Sequence, residues 1–224
     1  IYITAGNTTG TTIFLPTDDS LYDAASNETA QIDISGVSGC SAAESGTQNV
    51  TITIIDNESA PTVTLSRSAA AIDENSTGTV TITATLSNAT YQNVSVTIGA
   101  SGGTEGTDYA NISDITIAAG STFGEATVDP TDDSTYEGDE VITISIDGVS
   151  GGGASENSNQ SVQVTITDNE SAPTVTLSVL FSDGSSGTSI AENYASSGSN
   201  HLVITATLSA VDTQDVTVAI GTSG

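Results

Sequence analysis

The sequence predicts an all-β protein made of tandem two-sheet antiparallel sandwiches, about seven strands per repeat. Three observations carry that prediction. The chain holds 37 Thr and 32 Ser with 22 Gly among its 224 residues, a composition that with frequent Val and Ile favours strands joined by short polar turns. Apolar and polar residues alternate with period two over many short stretches. Finally, DNESAPTVTLS occurs at 56–66 and again at 168–178, and ITATLS at 82–87 and again at 204–209, which is the signature of tandem copies of one domain.

Within the complete copy, alternation predicts strands near 61–67, 78–87, 92–99, 110–117, 122–129, 139–147 and 160–167. Val80, Ile82, Ala84 and Leu86 share one face of the second. Val94, Val96 and Ile98 repeat the pattern in the third, Ile142, Ile144 and Ile146 in the sixth, and Val162, Val164 and Ile166 in the seventh. Gly102–Gly103, the AAG of 118–120 and the glycine-rich stretch 148–153 supply turn chemistry between them. Seven such strands in about 112 residues suit a Greek-key sandwich.

The repeats divide the chain into 1–58, the C-terminal part of one copy; 59–170, a complete copy; and 171–224, the N-terminal part of a further copy. PTDDSLY at 16–22 matches PTDDSTY at 130–136, an offset of 114, whereas the DNE motifs are 112 apart, so the first copy carries a two-residue insertion after Tyr22. The ITATLS offset of 122 reflects longer loops in the third copy, around 181–189 and 196–200. By these offsets Ile1 corresponds to Ile115 and Gly224 to Gly102, so the chain opens at a fourth strand and closes after a third. Both incomplete copies would leave sheet edges open. The expectation is therefore a head-to-tail, non-closing self-association, either as a window of a longer continuous rod or as halves that complement one another between subunits.

Charge and composition exclude several classes of function. With 28 Asp or Glu against a single Lys or Arg, the net charge is −27, which disfavours nucleic acid and anionic membranes. No apolar run approaches the roughly 20 residues that cross a bilayer, so no membrane insertion is expected. The lone Cys40 cannot form an intramolecular disulfide. Lacking an initiator Met or a signal peptide, the sequence reads as a mature or trimmed fragment. Ten of its thirteen Asn residues (Asn7, Asn27, Asn49, Asn57, Asn75, Asn88, Asn93, Asn111, Asn159 and Asn169) stand in Asn-x-Ser/Thr sequons, where the Ser and Thr frequency predicts about four by chance. This excess points to N-glycans and to an extracellular or cell-surface location; the plainer source is a Thr-rich repeat that copies its own sequon.

The acidic residues are polarised. In an antiparallel sandwich the ends of the first, third, fifth and seventh strands lie at one pole. After them come Glu74; Asp108; Asp132, Asp133, Glu137 and Glu140; and Asp168 and Glu170. The other pole has only Asp147 and Glu156 nearby. Gathered carboxylates repel one another unless a cation sits among them, and hard oxygen ligands from several loops suit Ca²⁺. Zinc is disfavoured, because the one His and the one Cys have no ligand spacing. The plain reading, solvated acidic loops, is weakened by four converging segments and by the near absence of basic residues.

At these residues the chain resembles the Calx-β domain: EGTDY at 105–109, the AAG turn, PTDDSTYEGDE at 130–140 and VTITDNE at 164–170. The resemblance covers one whole copy and two partial ones. It implies an immunoglobulin-like sandwich binding clustered Ca²⁺, more than one ion per complete repeat, at its distal end. Carried over by motif, the ligands would be Glu74, Asp108, Asp132, Asp133, Glu137, Glu140 and Asp168, with Glu170 standing where the family usually has Asp. In the first copy Asp18, Asp19, Glu28 and Asp56 survive, but DAASNE displaces the Glu ligand after the Tyr, and Asp23 is its candidate substitute. In the third copy only Glu192 is present.

No enzyme is expected. The only possible catalytic base, His201, opens a predicted strand with no motif around it, and three Phe, six Tyr and no Trp cannot line a glycosidase cleft. The reading is a structural rod or filament stiffened by Ca²⁺ at its junctions, with a cell-surface adhesin stalk as the alternative. A cytosolic Ca²⁺ sensor is disfavoured by the sequons. The short connector 168–173, with its proline, favours a stiff link between copies.

Overall fold

A computed structural model describes residues 1–23, 28–187, 189 and 201–222. The N-terminal segment forms β1 (Leu21–Tyr22), β2 (Glu28–Asp33) and β3 (Asn49–Ile54). The central stretch forms β4 (Thr62–Arg67), β5 (Ala71–Asp73), β6 (Val80–Leu86), β7 (Ala89–Thr90), β8 (Val94–Ser101), β9 (Ile115–Ile117), β10 (Phe123–Val128), β11 (Glu140–Ser150), β12 (Ser155–Glu156) and β13 (Ser161–Thr167). The C-terminal segment forms β14 (Val175–Phe181) and β15 (Leu202–Leu208).

The fold is all-β, and the central stretch is an immunoglobulin-like sandwich. One sheet has the order β10-β6-β4-β12 and the other β5-β13-β11-β8-β9. Their long pairings, β4–β6, β6–β10, β8–β11 and β11–β13, are antiparallel. The alternation read from the sequence now has a physical address: Val63, Val80, Ile82, Val94, Val96, Ile115, Ile117, Val128, Ile142, Ile144 and Val164 fill the space between the sheets. Burying each such side chain fully contributes roughly 1.5–3 kcal/mol. Tyr109 is the one aromatic residue in this core.

Three departures from the expected strands have local causes. The first strand is split: β4 pairs with β6 in one sheet, then the chain crosses and β5 pairs in parallel with β13 in the other. The fourth strand is shortened from 110–117 to Ile115–Ile117. Ile112 still points inward, but the Asp114 carboxylate takes the N–H of Ile98 at 3.0 Å, and the β8–β9 ladder stops at Ile115. The sixth strand, β11, runs on to Ser150 because a bulge between Ile146 and Gly148 keeps it paired with β8.

The flanking segments make less structure than the repeats led us to expect. Residues 1–20 form no strand, although Ile1–Ile3 stands in the place of β9. In the central sandwich β9 and β10 pair with β8 and β6, and the N-terminal segment has no counterpart of those partners. What does form are the hairpins β2–β3 and β14–β15, with Val50, Leu177 and Ile204 exposed. The third strand with which the chain is expected to close is likewise absent among the described residues. Glu192 and Asn27 lie outside the described residues, as does the 196–200 loop.

Candidate metal centre

The site lies at the end of the sandwich where β5, β8 and β13 terminate and β11 begins. Splitting the first strand is what delivers Glu74. After β5 crosses to the second sheet, the Glu74 N–H bonds Thr167 O at 3.0 Å, and its side chain enters the same pole as Asp168. Asp108 arrives from the loop after β8, folded by two N–H groups that converge on Thr104 O, those of Thr107 at 3.1 Å and Asp108 at 2.9 Å. Thr104 in turn donates its N–H to the Asp108 carboxylate.

Two groups of three carboxylates result, Glu74–Asp168–Glu170 and Asp108–Glu137–Glu140, each offering oxygens within 4.8 Å of one another. A shared depression lined by Glu74, Asp108, Glu137, Gly138, Glu140, Ile166 and Asp168 joins them. Glu74 and Asp108 are only 7% and 6% exposed, an unusual position for acids with no basic residue beside them. Asp132 and Asp133 fall outside both groups. Asp133 lies against the first: its N–H donates to Glu74 Oε1 at 3.0 Å, while its carboxylate accepts from the Thr135 N–H at 2.6 Å.

The electrostatics reflect crowding without compensation. Burial, then the hydrogen bond to Asp108 and the charges of Asp108, Glu137 and Glu74, push the Glu140 carboxyl up to about 7. Burial and neighbouring carboxylates also raise Glu74, Glu137 and Glu170 above the usual glutamate value. Asp168 behaves oppositely. Burial works against its charge, but N–H groups from Gly138 at 2.5 Å, Glu170 at 2.8 Å and Glu137 at 2.8 Å outweigh it and hold the carboxyl below its usual range.

These backbone donors were not singled out from the sequence, although the DNE spacing carries a trace of one: an Asp that accepts from the N–H two residues on is an Asx turn. Gly103 does more than turn the chain. It is in the left-handed region with φ 59°, and a Cβ there would lie 3.3 Å from both Asp108 Oδ2 and Glu140 Oε2, so it leaves room for the second group.

The N-terminal segment assembles a related arrangement. Asp18, Asp19, Asp23, Glu28, Asp56 and Glu58 line one depression. The Asp56 carboxylate accepts from the Glu58 N–H at 3.0 Å and the Asp23 N–H at 2.7 Å, and these bonds hold it below its usual range. Asp23 thus stands where Glu137 stands in the central sandwich. Glu58 is raised chiefly by its hydrogen bond to Asp56.

The donor set fits a hard divalent cation. Two oxygens bound to one Ca²⁺ at about 2.3–2.6 Å can be no more than about 5 Å apart, and both triads meet that limit. His201 and Cys40, the only soft or borderline donors in the sequence, are both exposed and belong to neither group.

A family model described as LapA domain matches residues 60–169. Comparison with curated proteins finds none that matches. Among solved structures, the apo form of the Calx CBD1 domain is 18% identical, with 48% of this chain and 98% of that one covered and a TM-score of 0.40. For CBD12 from CALX1.2 the figures are 19%, 47% and 45%, and 0.40. A two-domain protein with unknown function from Bacteroides fragilis NCTC 9343 gives 8%, 55% and 55%, and 0.35. This chain thus spans less than half of the CALX1.2 structure. None of these matches bears an enzyme name.

Proposed function

We propose that the chain is part of an extracellular structural rod or filament whose β-sandwich units are stiffened by Ca²⁺ at their acidic poles, with no catalytic role. One observation carries this reading: two carboxylate triads, drawn from four separated segments, converge on one end of the sandwich with no basic residue among them. An ion there would tie Glu74 after β5, Asp108 after β8, Glu137 and Glu140 at the start of β11, and Asp168 with Glu170 after β13. The loops that otherwise repel one another would become a single cross-linked cap. Chemically the ion supplies charge neutralisation, and the backbone donors around Asp168 hold that carboxylate ready and ionised.

The surface supports an extracellular setting. Nine sequon asparagines lie among the described residues, and eight of them are exposed, Asn88 being half-buried. The open apolar faces of β2–β3 and β14–β15 support head-to-tail self-association between chains. Calorimetric melting of the full chain in chelator and in millimolar Ca²⁺ tests the metal. A ligand bound only by the folded state adds about 2.7 kcal/mol at 100 times its dissociation constant, so a clear rise in melting temperature is expected and coincident curves would reject the reading. Light scattering tests the assembly, with concentration-dependent polymers expected; a persistent monomer would favour an adhesin stalk over a filament.

A further inference from the structure

The junctions on either side of the central sandwich share a feature that the metal does not explain. At the first, β1 pairs in parallel with β7, Leu21 opposite Ala89 and Tyr22 opposite Thr90, and the Tyr91 N–H donates to Tyr22 O at 3.3 Å. At the second, Tyr136 forms a parallel bridge with Asp212, and its N–H donates to Val211 O at 3.2 Å. Tyr22 and Tyr136 close the repeated PTDDS-x-Y motif, and Thr90 and Asp212 both lie three residues beyond the end of ITATLS. The two bridges are therefore one bridge in one register.

The acidic loop is folded in the same way at both junctions, and each receiving bend is tied within itself by a side chain. On the acidic loop, the Asp19 carboxylate accepts the Leu21 N–H at 2.8 Å, and Asp133 does the same for Thr135 at 2.6 Å. These Asx turns present the bridging residues edge-on. On the receiving bend, the Thr90 hydroxyl bonds Gln92 O, while the Asp212 carboxylate accepts the Gln214 N–H at 2.8 Å. Side chains at the contact differ, with Ala89, Thr90 and Tyr91 at one bend and Val211, Asp212 and Thr213 at the other. The register survives because the bonds are made by backbone, which every residue except proline can supply.

We infer that the bend between the second and third strands of each unit, 88–93 and 210–215, is a docking edge for the acidic loop of the unit before it. This rests on reading the chain as successive units. Neighbouring units are then joined twice, by the covalent connector and by a short parallel ladder that fixes their relative orientation at every junction.

Register-specific disulfides test it in the full chain carrying Cys40→Ser. One variant combines Leu21→Cys with Ala89→Cys and a second combines Tyr136→Cys with Asp212→Cys. Controls shifted by two residues pair Leu21→Cys with Tyr91→Cys, and Tyr136→Cys with Gln214→Cys. A disulfide needs Cα atoms about 4.4–6.8 Å apart, so in-register pairs should oxidise at least about tenfold faster than their controls. Peptide mapping by mass spectrometry reads the rates. If Tyr136→Cys disturbs folding, Thr135→Cys with Val211→Cys probes the same register one step back. The preference is expected in chelator and in Ca²⁺ alike, so failure of the metal reading leaves it standing. Equal rates, or a preference at one junction only, would overturn the inference.

Discussion

Asp56 and Asp168 occupy the same place in a repeated motif, and both are held by N–H groups from the residue two further on and from the acidic loop. Yet Asp168 stands beside Glu74 and Asp108, which are buried, whereas the acids around Asp56 are all half-buried or exposed. The difference lies in what surrounds the motif. In the central sandwich β5 and the loop after β8 bring two further carboxylates, Glu74 and Asp108, to the end where Asp168 lies; the depression around Asp56 is lined from 16–28 and 54–58 alone. The motif by itself shapes a turn. The further carboxylates come from the other strands.

The largest effect that sharpens this comparison concerns a glycine. Gly151, Gly152 and Gly153 have φ of 88°, 55° and 65°, and the corresponding Gly39, Cys40 and Ser41 have 96°, 49° and 55°. One turn is therefore built from different residues. A Cβ on Gly152 would come within 2.6 Å of Thr90 Oγ1 and 2.9 Å of Val94 Cγ2, whereas Cys40 is exposed. Gly152→Cys, which copies the N-terminal residue into the sandwich, should destabilise it by about 2–4 kcal/mol. Cys40→Gly should change the main melting transition by less than about 1 kcal/mol. Denaturant melts of both variants check the contrast.

Next in size is the pair Asp168→Ala and Asp56→Ala. Removing the Asp168 carboxylate leaves three backbone donors unanswered and takes an acid from the first triad. It should abolish about 2 kcal/mol of Ca²⁺-linked stability, while Asp56→Ala should leave most of that gain. Scanning calorimetry with and without Ca²⁺ separates them, and equal losses would place the two acidic groups on the same footing.

Within the pole, Glu137→Gln should weaken Ca²⁺ binding about tenfold, equivalent to about 1.4 kcal/mol, and Asp133→Asn by less, because Asp133 already spends an oxygen on Thr135. Asp147→Asn at the opposite pole removes the same charge and should do least. Titration calorimetry gives the order.

The smallest expected effect is on pH dependence. Glu140 is raised in the fold, so in chelator its contribution to stability is full below the ordinary glutamate value near 4.5 and is lost as pH rises towards about 7. The melting temperature of the metal-free protein should therefore climb by a few degrees as pH falls through that window, solvent screening at this half-buried group keeping the change modest. Glu140→Gln should flatten the slope. In Ca²⁺ the slope should reverse, because protons compete for the same oxygens.

Much of this was legible in the sequence. Period-two alternation located the core of β6, β8, β11 and β13 because each lies half-buried against the opposite sheet. Strand parity places Glu74, Asp108, Glu137, Glu140 and Asp168 at one end, where the two triads lie. Parity cannot rank the members of an acidic run, however: Asp132 and Asp133 fall outside the triads, and Asp133 is committed to a turn. Ala71–Asp73 escaped notice since three residues show no period, and its pairing with β13 is a long-range event. Residues 1–20 form no strand for a related reason: alternation marks which residues could pair, and pairing still requires a partner.

The split first strand has a consequence for load. β5 and β13 run side by side in parallel, Ala71 opposite Thr165 and Asp73 opposite Thr167, extended by Thr165 N–H to Ala70 O and Glu74 N–H to Thr167 O at 3.0 Å each. They belong to the opening and closing strands of the sandwich, so tension between the ends of this stretch draws them in opposite directions along their length. Their hydrogen bonds then share the force in shear and must give way together, where an antiparallel hairpin would peel open one bond at a time. The ends of that clamp are Glu74 and Asp168, so an ion held there would rivet the seam that tension strains first.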